Sequence, residues 1–255
     1  MTKRNILITG GASGIGFGIA EHLAQQGHHV VLADLNLQAA SAASEKLTSR
    51  RLSAASIALD VSNAEQVRQT AENLSATPID ILINNAGIQH VSRLESFPAD
   101  KWQQLINVML VGPALLTQAF LPGMRERNFG RIINVGSIHS VIASPYKSAY
   151  VAAKHGLLGF AKTVALETGD CDVTINTLCP AYVKTPLVEQ QIKAQAEENG
   201  ISEEDVVNKI MLEPMPKKAF ISIEELAATA SFLISNNARN ITGQTMILDG
   251  GWTAR

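Results

Sequence analysis

Three side chains in the middle of the sequence have the types and spacing needed to move a proton to and from an alcohol. Tyr150 and Lys154 are four residues apart, which places them about one turn apart on the same face of a helix. A free tyrosine has a pKa of about 10, and a nearby ammonium group favours phenolate and lowers that pKa. The sequence therefore predicts Tyr150 as general acid and base for an alcohol–ketone couple, with Ser137 able to hydrogen-bond the same oxygen. Chance spacing on an exposed helix is the alternative.

A glycine-rich segment near the start of the chain predicts a phosphate-binding turn. Residues 5–9 form a short apolar run, Gly10, Gly14 and Gly16 follow it, and a helical pattern begins there. Glycines let the backbone approach a pyrophosphate, and a helix N-terminus offers free N–H groups and the positive end of the helix dipole. The spacing differs from the usual dinucleotide fingerprint, so an ordinary tight turn is the alternative.

An acidic residue, Asp34, ends the second apolar run. A carboxylate at this point can hydrogen-bond the 2′-hydroxyl of an adenosine ribose and repels a 2′-phosphate. Neither Leu35 nor Asn36 is basic, so the sequence predicts NAD as the cofactor. A role of Asp34 in capping the next turn is the alternative.

The order of the elements indicates the fold. Apolar runs of strand length alternate with helical patterns, which is typical of an α/β doubly wound parallel sheet of about seven strands with helices on both faces. No linker or low-complexity tract marks a boundary, so we predict a single domain over residues 1–255. The third strand is expected at 56–61 and the cap of a long helix at Asp100. The candidate residues mostly follow strands, which places them at the carboxyl edge of the sheet, where such folds bind ligands.

Composition indicates a globular protein with a large buried core. Of 255 residues 46% are apolar and 17% charged, and the net charge is −2 without an extended basic cluster, so we expect neither nucleic acid nor a membrane as partner. Cys171 and Cys179 have no metal-site spacing; we expect no metal, and two reduced thiols in a cytoplasmic protein. A strand is predicted within the first residues, so we expect no signal peptide. The uncharged window 103–124 contains amides and prolines, which favours a buried helix over a transmembrane one.

Several motifs, in this order, make the chain resemble the short-chain dehydrogenase/reductase family over nearly its whole length. They are Thr9-Gly10-x-x-x-Gly14-x-Gly16, Asp60-Val61, Asn84-Asn85-Ala86-Gly87, Ser137, Tyr150-x-x-x-Lys154, and Pro180 with Thr185-Pro186. The resemblance implies a Rossmann-like domain, a nicotinamide cofactor and a homotetramer. It implies that Tyr150 is the acid and base, that Lys154 binds the nicotinamide ribose and tunes Tyr150, and that Ser137 polarises the substrate oxygen. The cofactor would contact Thr9, Gly10, Ser13, Gly14, Ile15, Gly16, Asp34, Asp60, Val61, Asn85, Ala86, Gly87, Tyr150, Lys154, Pro180, Val183 and Thr185.

Further segments resemble the bacterial 3-hydroxybutyrate dehydrogenases within that family. They are residues 87–90, 97–98, 121–124, 131–134, 150–156, 185–192 and 249–252. This resemblance implies oxidation of (R)-3-hydroxybutyrate to acetoacetate and the reverse reduction, beneath a lid at about 187–217. The substrate and its carboxylate would be bound by Gln89, Ser137, His139, Lys147, Tyr150 and Gln191. A solvated surface role for Lys147 and a structural role for His139 are the alternatives.

Two positions depart from the family pattern. The family's proton relay includes an asparagine in the long helix where this chain has Met109, and Asn107 lies roughly 200° away around an ideal helix. The lid of the closer relatives carries tryptophan where this chain has Tyr182. Two other functions stay open. One is a related dehydrogenase or reductase acting on a sugar, a polyol or a 3-oxoacyl thioester. The other is a catalytically weak NAD-binding or scaffold protein, which Met109 favours and the intact catalytic residues oppose.

Overall fold

A sheet of parallel strands forms the centre of the protein. The computed structural model describes residues 2–254, apart from the side chains at positions 186 and 187. In this part of the chain the strands are β1 (Asn5–Thr9), β2 (His29–Asp34), β3 (Ala54–Ala58), β4 (Ile81–Asn84), β5 (Gly130–Val135), β6 (Val173–Pro180) and β7 (Thr245–Leu248). They pair in the order β3-β2-β1-β4-β5-β6-β7, and every neighbouring pair is parallel. The predicted doubly wound sheet is confirmed.

Helices cover both faces of this sheet. They are α1 (Gly14–Gln25), α2 (Leu37–Thr48), α3 (Ala64–Asn73), α4 (Ala99–Ile106), α5 (Gly112–Glu126), α6 (Ser148–Glu167), α7 (Pro186–Asn199), α8 (Glu203–Val206) and α9 (Ile223–Ile234). Successive strand residues point to opposite faces, so Ile6 and Ile8 pack against α1, α2 and α9. Leu7 and Val31 pack on the other side with α3, α5 and α6. Two hydrophobic layers enclose the sheet, and the chain is a single Rossmann-like domain.

Two boundaries differ from the sequence predictions. The third strand is Ala54–Ala58 and not 56–61, because its register with β2 ends where Ala58 pairs with Asp34, the last residue of β2. The helix α4 begins one residue before Asp100, which therefore lies in the first turn and not at the cap. Its negative charge still suits the positive end of the helix dipole.

The long helix that leads to Met124 is interrupted by a wider, π-type turn at Asn107–Val111. Pro113 lies just beyond this turn and has no backbone N–H. It cannot donate to the carbonyl oxygen of Met109, four residues earlier, and this loosens the helical ladder. Such turns are frequent at functional sites.

Between β6 and α9 the chain forms α7, α8 and a second wide turn at Val207–Met211. Gly200 ends α7 in the left-handed conformation, with φ of 61°, which glycine adopts easily. Ile192, Val206 and Met211 bury their side chains in a small separate cluster. This segment therefore has a core of its own, and its role as a lid at 187–217 stays a prediction.

Gly16 provides a test of how closely α1 approaches the glycine turn. A Cβ atom at Gly16 would overlap the carbonyl oxygen of Gly10 and the side-chain amide of Asn85. We expect Gly16→Ala to lower the free energy of unfolding by about 1–3 kcal/mol, as overpacking does elsewhere, in chemical denaturation. At Gly87 a Cβ atom meets nothing closer than 3.7 Å, so Gly87→Ala is a matched control that should unfold like the parent. Equal stability of the two variants would contradict the close approach.

Candidate active site

A cleft opens at the carboxyl edge of the sheet, beside the point where the strand order reverses between β1 and β4. Its volume is about 360 Å³. Most residues that the sequence predicts for cofactor and substrate line it, namely Gly10, Ser13, Gly14, Ile15, Asp34, Asn85, Gly87, Gln89, Ser137, His139, Lys147, Tyr150, Lys154, Pro180, Val183, Thr185 and Gln191. Side chains from distant parts of the sequence therefore meet in one place.

Ser137, Tyr150 and Lys154 lie on two elements that meet at the end of β5. Ser137 follows β5 and begins a short turn of 3₁₀ helix, in which the backbone N–H of His139 donates to Ser137 Oγ at 3.2 Å. Tyr150 and Lys154 lie in the first two turns of α6. Lys154 is 5% exposed, and its Nζ donates to the carbonyl oxygen of Val135 at 2.7 Å. This bond ties α6 to the strand that carries Ser137.

The electrostatics of these groups differ from the sequence prediction. Burial raises the pKa of Tyr150, and a hydrogen bond with Ser137 opposes this rise only in part. The Nζ of Lys154 lies 5.7 Å from the centre of the Tyr150 ring. Burial lowers the pKa of Lys154 itself to about 8. The prediction that Lys154 lowers the pKa of Tyr150 below its usual value is therefore wrong for the chain alone, because removal from water dominates.

His139 lies between two serine hydroxyls. Its Nδ1 is 3.4 Å from Ser137 Oγ, and its Nε2 is 2.6 Å from Ser144 Oγ. The residue is 5% exposed, and burial together with the charge of Lys147 lowers its pKa to about 4. His139 is therefore neutral at neutral pH, with one ring nitrogen as donor and the other as acceptor.

Lys147 reaches the cleft from the position just before α6. The preceding Tyr146 has φ of 66°, a left-handed conformation that is strained for a bulky side chain. The backbone N–H of Ser92 donates to the carbonyl oxygen of Tyr146 at 2.9 Å, and the guanidinium of Arg93 lies over the Tyr146 ring. Lys147 is half-buried, and burial lowers its pKa. This placement favours anion binding over a solvated surface role.

The glycine turn fits the diphosphate of a dinucleotide. Gly10 and Gly14 have φ of 60° and 55°, a conformation that other residues rarely adopt. Ser13 precedes α1 and makes no side-chain capping bond, so the first N–H groups of α1 have no side-chain acceptor at that cap. Free N–H groups at a helix N-terminus suit an anion. The turn therefore has the shape and the donors to hold a dinucleotide cofactor.

Asp34 lies at the edge of the same cleft. Its carboxylate accepts from the N–H of Ala12 in the glycine turn at 3.3 Å and from the N–H of Asn36 at 3.1 Å. The helix α2 is capped by the side chain of Asn36, which accepts from the N–H of Ala39 at 3.1 Å. Asp34 is thus held at the cleft, where the adenosine ribose of a dinucleotide lies in this class of fold.

Some predicted cofactor residues are not among those that line the cleft, namely Thr9, Gly16, Asp60, Val61 and Ala86. The Oγ1 of Thr9 accepts from the N–H groups of Asn85 and Ala86 at 3.0 and 3.1 Å, which joins the ends of β1 and β4. The carboxylate of Asp60 accepts from the N–H and hydroxyl of Ser62 at 2.9 and 2.6 Å. Thr9 and Asp60 therefore stabilise the turns that follow β4 and β3.

Met109 also belongs to the cleft wall. It is 1% exposed and packs in a hydrophobic cluster with Tyr150. Asn107 is engaged elsewhere, since its Oδ1 accepts from Gln103 Nε2 at 2.8 Å. The thioether of Met109, and not the amide of Asn107, therefore faces the cleft, as the register from the sequence indicates.

Some residues of the cleft were not predicted. They are Ile88, Val135, Gly136, Ile138, Ala181 and Val188. Most are next to a predicted site residue, and that adjacency is the signal that could have indicated them. Ser144, the partner of His139, lies in a loop and belongs to no motif. Tyr182 stacks on Trp252 with ring centres 6.0 Å apart, so the C-terminal segment supports the wall.

Among residues 2–254, no group of three or more histidine, cysteine or carboxylate side chains is placed to hold a metal ion. Within the same residues, Ala99–Glu126 is the one helical stretch long and apolar enough to cross a membrane, with a mean hydropathy of 1.6 over an 18-residue window. Leu116 and Phe120 of this stretch pack against the sheet, as in core helices of soluble proteins.

The fold and the cleft are those of a nicotinamide-dependent oxidoreductase, and comparison with known sequences agrees. A family model described as enoyl-(acyl carrier protein) reductase matches residues 10–253. The chain belongs to the short-chain dehydrogenase/reductase family, whose oxidoreductases use nicotinamide cofactors.

The chain is also similar over its full length to several individual proteins. The chain is 42% identical to a D-beta-hydroxybutyrate dehydrogenase of Rhizobium meliloti over 261 aligned residues, covering 100% of both chains. It is 41% identical to a D-beta-hydroxybutyrate dehydrogenase of Cupriavidus necator over 257 residues, again 100% of both chains. It is 40% identical to an uncharacterized oxidoreductase of Bacillus subtilis, with the same complete coverage.

The lowered pKa of His139 predicts how stability depends on pH. The folded chain keeps this ring neutral down to a pH of about 4, whereas an unfolded histidine binds a proton near 6.5. Stability is therefore lost as pH falls from 6.5 towards 4, by about 3 kcal/mol at most for this group. His139→Gln removes the titrating ring, so its free energy of unfolding should fall less than that of the parent over this interval in chemical denaturation. His22→Gln, on the surface helix α1, is the control and should follow the parent. Parallel curves for the parent and His139→Gln would rule out the effect.

Proposed function

We propose that the chain is an NAD-dependent dehydrogenase that oxidises (R)-3-hydroxybutyrate to acetoacetate and catalyses the reverse reduction. One observation carries the proposal: Ser137, Tyr150 and Lys154 share a cleft with the half-buried Lys147. The first three residues suit a secondary alcohol, and the fourth suits a carboxylate. A 3-hydroxy acid presents both groups on one short molecule, and the similar D-beta-hydroxybutyrate dehydrogenases support this choice.

The groups at the end of β5 bind the alcohol group of the substrate and accept its proton. Tyr150 accepts the hydroxyl proton as general base. A bound nicotinamide cofactor would supply the hydride acceptor for C3 of the substrate. Ser137 donates a hydrogen bond to the substrate oxygen, and the N–H of His139 already occupies one of its lone pairs, which limits how the hydroxyl can turn. Lys154, fixed by Val135, favours the phenolate when Tyr150 ionises.

Lys147 binds the carboxylate of the substrate through its ammonium group. An unpaired charge away from water is costly, and burial lowers the pKa of Lys147 for that reason. A carboxylate beside the ammonium relieves this cost. Gln89 presents a donor, because its Oε1 already accepts from the N–H of His90 at 3.1 Å and its Nε2 is left for an anion. Gln191 lines the same cleft, and His139, whose ring nitrogens contact serines, shapes the pocket.

We extend the proposal to the choice of cofactor, to a lid over the substrate and to the oligomeric state. The carboxylate of Asp34 would accept a hydrogen bond from the ribose of NAD and would repel the additional phosphate of NADP. Residues 187–217 would close over the bound substrate and exclude water.

We also propose a cytoplasmic homotetramer, which the family resemblance implies. Leu166 is 85% exposed on α6 and Phe232 is 44% exposed on α9, and exposed apolar groups of this kind support self-association.

The proposal is tested by measuring the acid and its methyl ester with the parent and with Lys147→Ala. The ester keeps the hydroxyl and loses the negative charge. We expect Lys147→Ala to lower kcat/KM for the acid by about 30- to 1,000-fold, as for a charged group left without its partner. The ester should be a poor substrate of the parent and should lose little further activity in the variant. Initial rates of NAD reduction give all four values.

Lys46→Ala on α2 is the matched control, because this lysine is exposed; it should behave like the parent. An equal loss on acid and ester would show that Lys147 is not the partner of the carboxylate. Better parent activity with a sugar, a polyol or a 3-oxoacyl thioester would favour another dehydrogenase or reductase of the family. Equal use of NADP would contradict the role of Asp34. NAD binding without turnover of any compound would indicate a scaffold protein.

A further inference from the structure

Two loops meet beside the cleft, and each carries one of the polar groups proposed for the carboxylate. One loop follows β4 and carries Gln89, and the other precedes α6 and carries Lys147. They are joined at Tyr146, whose carbonyl oxygen accepts from the backbone N–H of Ser92 at 2.9 Å. The guanidinium of Arg93 lies over the Tyr146 ring, 5.6 Å from its centre. A main-chain hydrogen bond and a cation–π contact therefore connect the two loops.

The backbone of Tyr146 sets the direction in which the chain enters α6. Its φ of 66° lies in the left-handed region, which is strained for a bulky side chain and persists only where neighbouring contacts hold it. The residue is 50% exposed, so burial in the core holds it only in part, and the contacts with Ser92 and Arg93 supply the rest. The carbonyl oxygen of the next residue, Lys147, accepts from the N–H of Val151 at 2.8 Å. The backbone of Lys147 is thus fixed from both sides.

The loop after β4 is itself anchored close to the catalytic helix. The Oε1 of Gln89 accepts from the N–H of His90 at 3.1 Å. The ring of His90 meets that of Phe97 edge to face, with centres 5.1 Å apart. Phe97 and Tyr150 pack against the same hydrophobic cluster. The loop that contacts Tyr146 therefore has a firm position relative to the reacting hydroxyl.

Two physical effects draw the Lys147 side chain out of the cleft. Burial disfavours a charged ammonium group, and it lowers the pKa of Lys147 for that reason. Fixing a long lysine side chain also costs conformational entropy. Both effects favour a lysine that extends into water whenever the backbone before it is free to turn. The contacts at Tyr146 oppose that turn.

We propose that Tyr146 is a positioning residue, which keeps the Lys147 ammonium in the cleft and thereby selects substrates that carry a carboxylate. Ser92 and Arg93 hold it in that role. The inference rests on the proposed function, in which Lys147 binds the carboxylate. Tyr146 does not itself line the cleft, so it acts through the residue that follows it. An ammonium group held in place before the substrate arrives binds the anion without a further cost of ordering.

The test combines Tyr146→Ala with Lys147→Ala and measures kcat and KM for (R)-3-hydroxybutyrate and for its methyl ester. Alanine removes the ring that Arg93 contacts. We expect Tyr146→Ala to raise KM for the acid about ten-fold, within the range of coupling between neighbouring residues, and to leave kcat and the ester's KM within about two-fold. With Lys147→Ala already present, the same change should add nothing, because the two residues act through one contact. Tyr146→Phe keeps the ring and should restore the parent KM.

Arg51→Ala is the matched control. Arg51 is exposed, has φ of 63° and does not line the cleft, so the variant should keep the parent KM for both compounds. A merely structural role of Tyr146 would raise KM for acid and ester alike, or would cost as much with Lys147→Ala as without it. Either result overturns the inference, and so does an unchanged KM for the acid in Tyr146→Ala.

A parent protein without turnover would defeat the proposed function instead, and the position of Lys147 is then decided by its own titration. Reductive methylation with a ¹³C label makes the amine visible by NMR, and Lys147→Ala identifies its signal. Release of the side chain into water predicts a higher pKa of Lys147 in Tyr146→Ala than in the parent, because burial lowers that pKa in the parent. An equal pKa in the two proteins overturns the inference.

Discussion

One hydrogen bond, from the buried ammonium group of Lys154 to the carbonyl oxygen of Val135, joins the two elements on which the site depends. The strand β5 ends at Val135 and leads to Ser137, and α6 carries Tyr150 one turn before Lys154. Removing an ammonium group from water costs free energy, and the fall of the Lys154 pKa to about 8 reflects that cost. The backbone carbonyl satisfies the charge and fixes its position beside Tyr150.

The parallel sheet makes this arrangement possible. Because all neighbouring strands run in the same direction, their carboxyl ends meet at one edge, and the turns after β1, β4, β5 and β6 converge there. The hydroxyl of Thr9 joins the first two of these turns by accepting from two N–H groups of the second. The helices on both faces hold the strands in register and leave this edge open. The side chains proposed for alcohol chemistry and anion binding lie at fixed places on this edge.

The features that depend on residue type and spacing could be predicted from the sequence. Alternating strands and helices, the glycine turn, Asp34 and the pair of Tyr150 and Lys154 all follow from local periodicity and motifs. Features that depend on packing could not. The end of β3 is set by its pairing with β2. The rise in the pKa of Tyr150 comes from water removed by the whole fold. Ser144 reaches His139 because of the path of a loop, and no local pattern specifies that path.

The central claim is that this cleft removes a hydride from C3 of a 3-hydroxy acid. The most direct measurement follows that hydrogen, using (R)-3-hydroxybutyrate with deuterium at C3, NAD and the parent protein, and analysing the reduced cofactor by mass spectrometry. We predict deuterium in the reduced nicotinamide, and turnover slower than with the unlabelled acid. Tyr150→Phe keeps the ring without the proton-transfer group, so it should form labelled cofactor at least about 10²-fold more slowly. Deuterium that stays in the hydroxy acid, or is found only in water, would contradict the account.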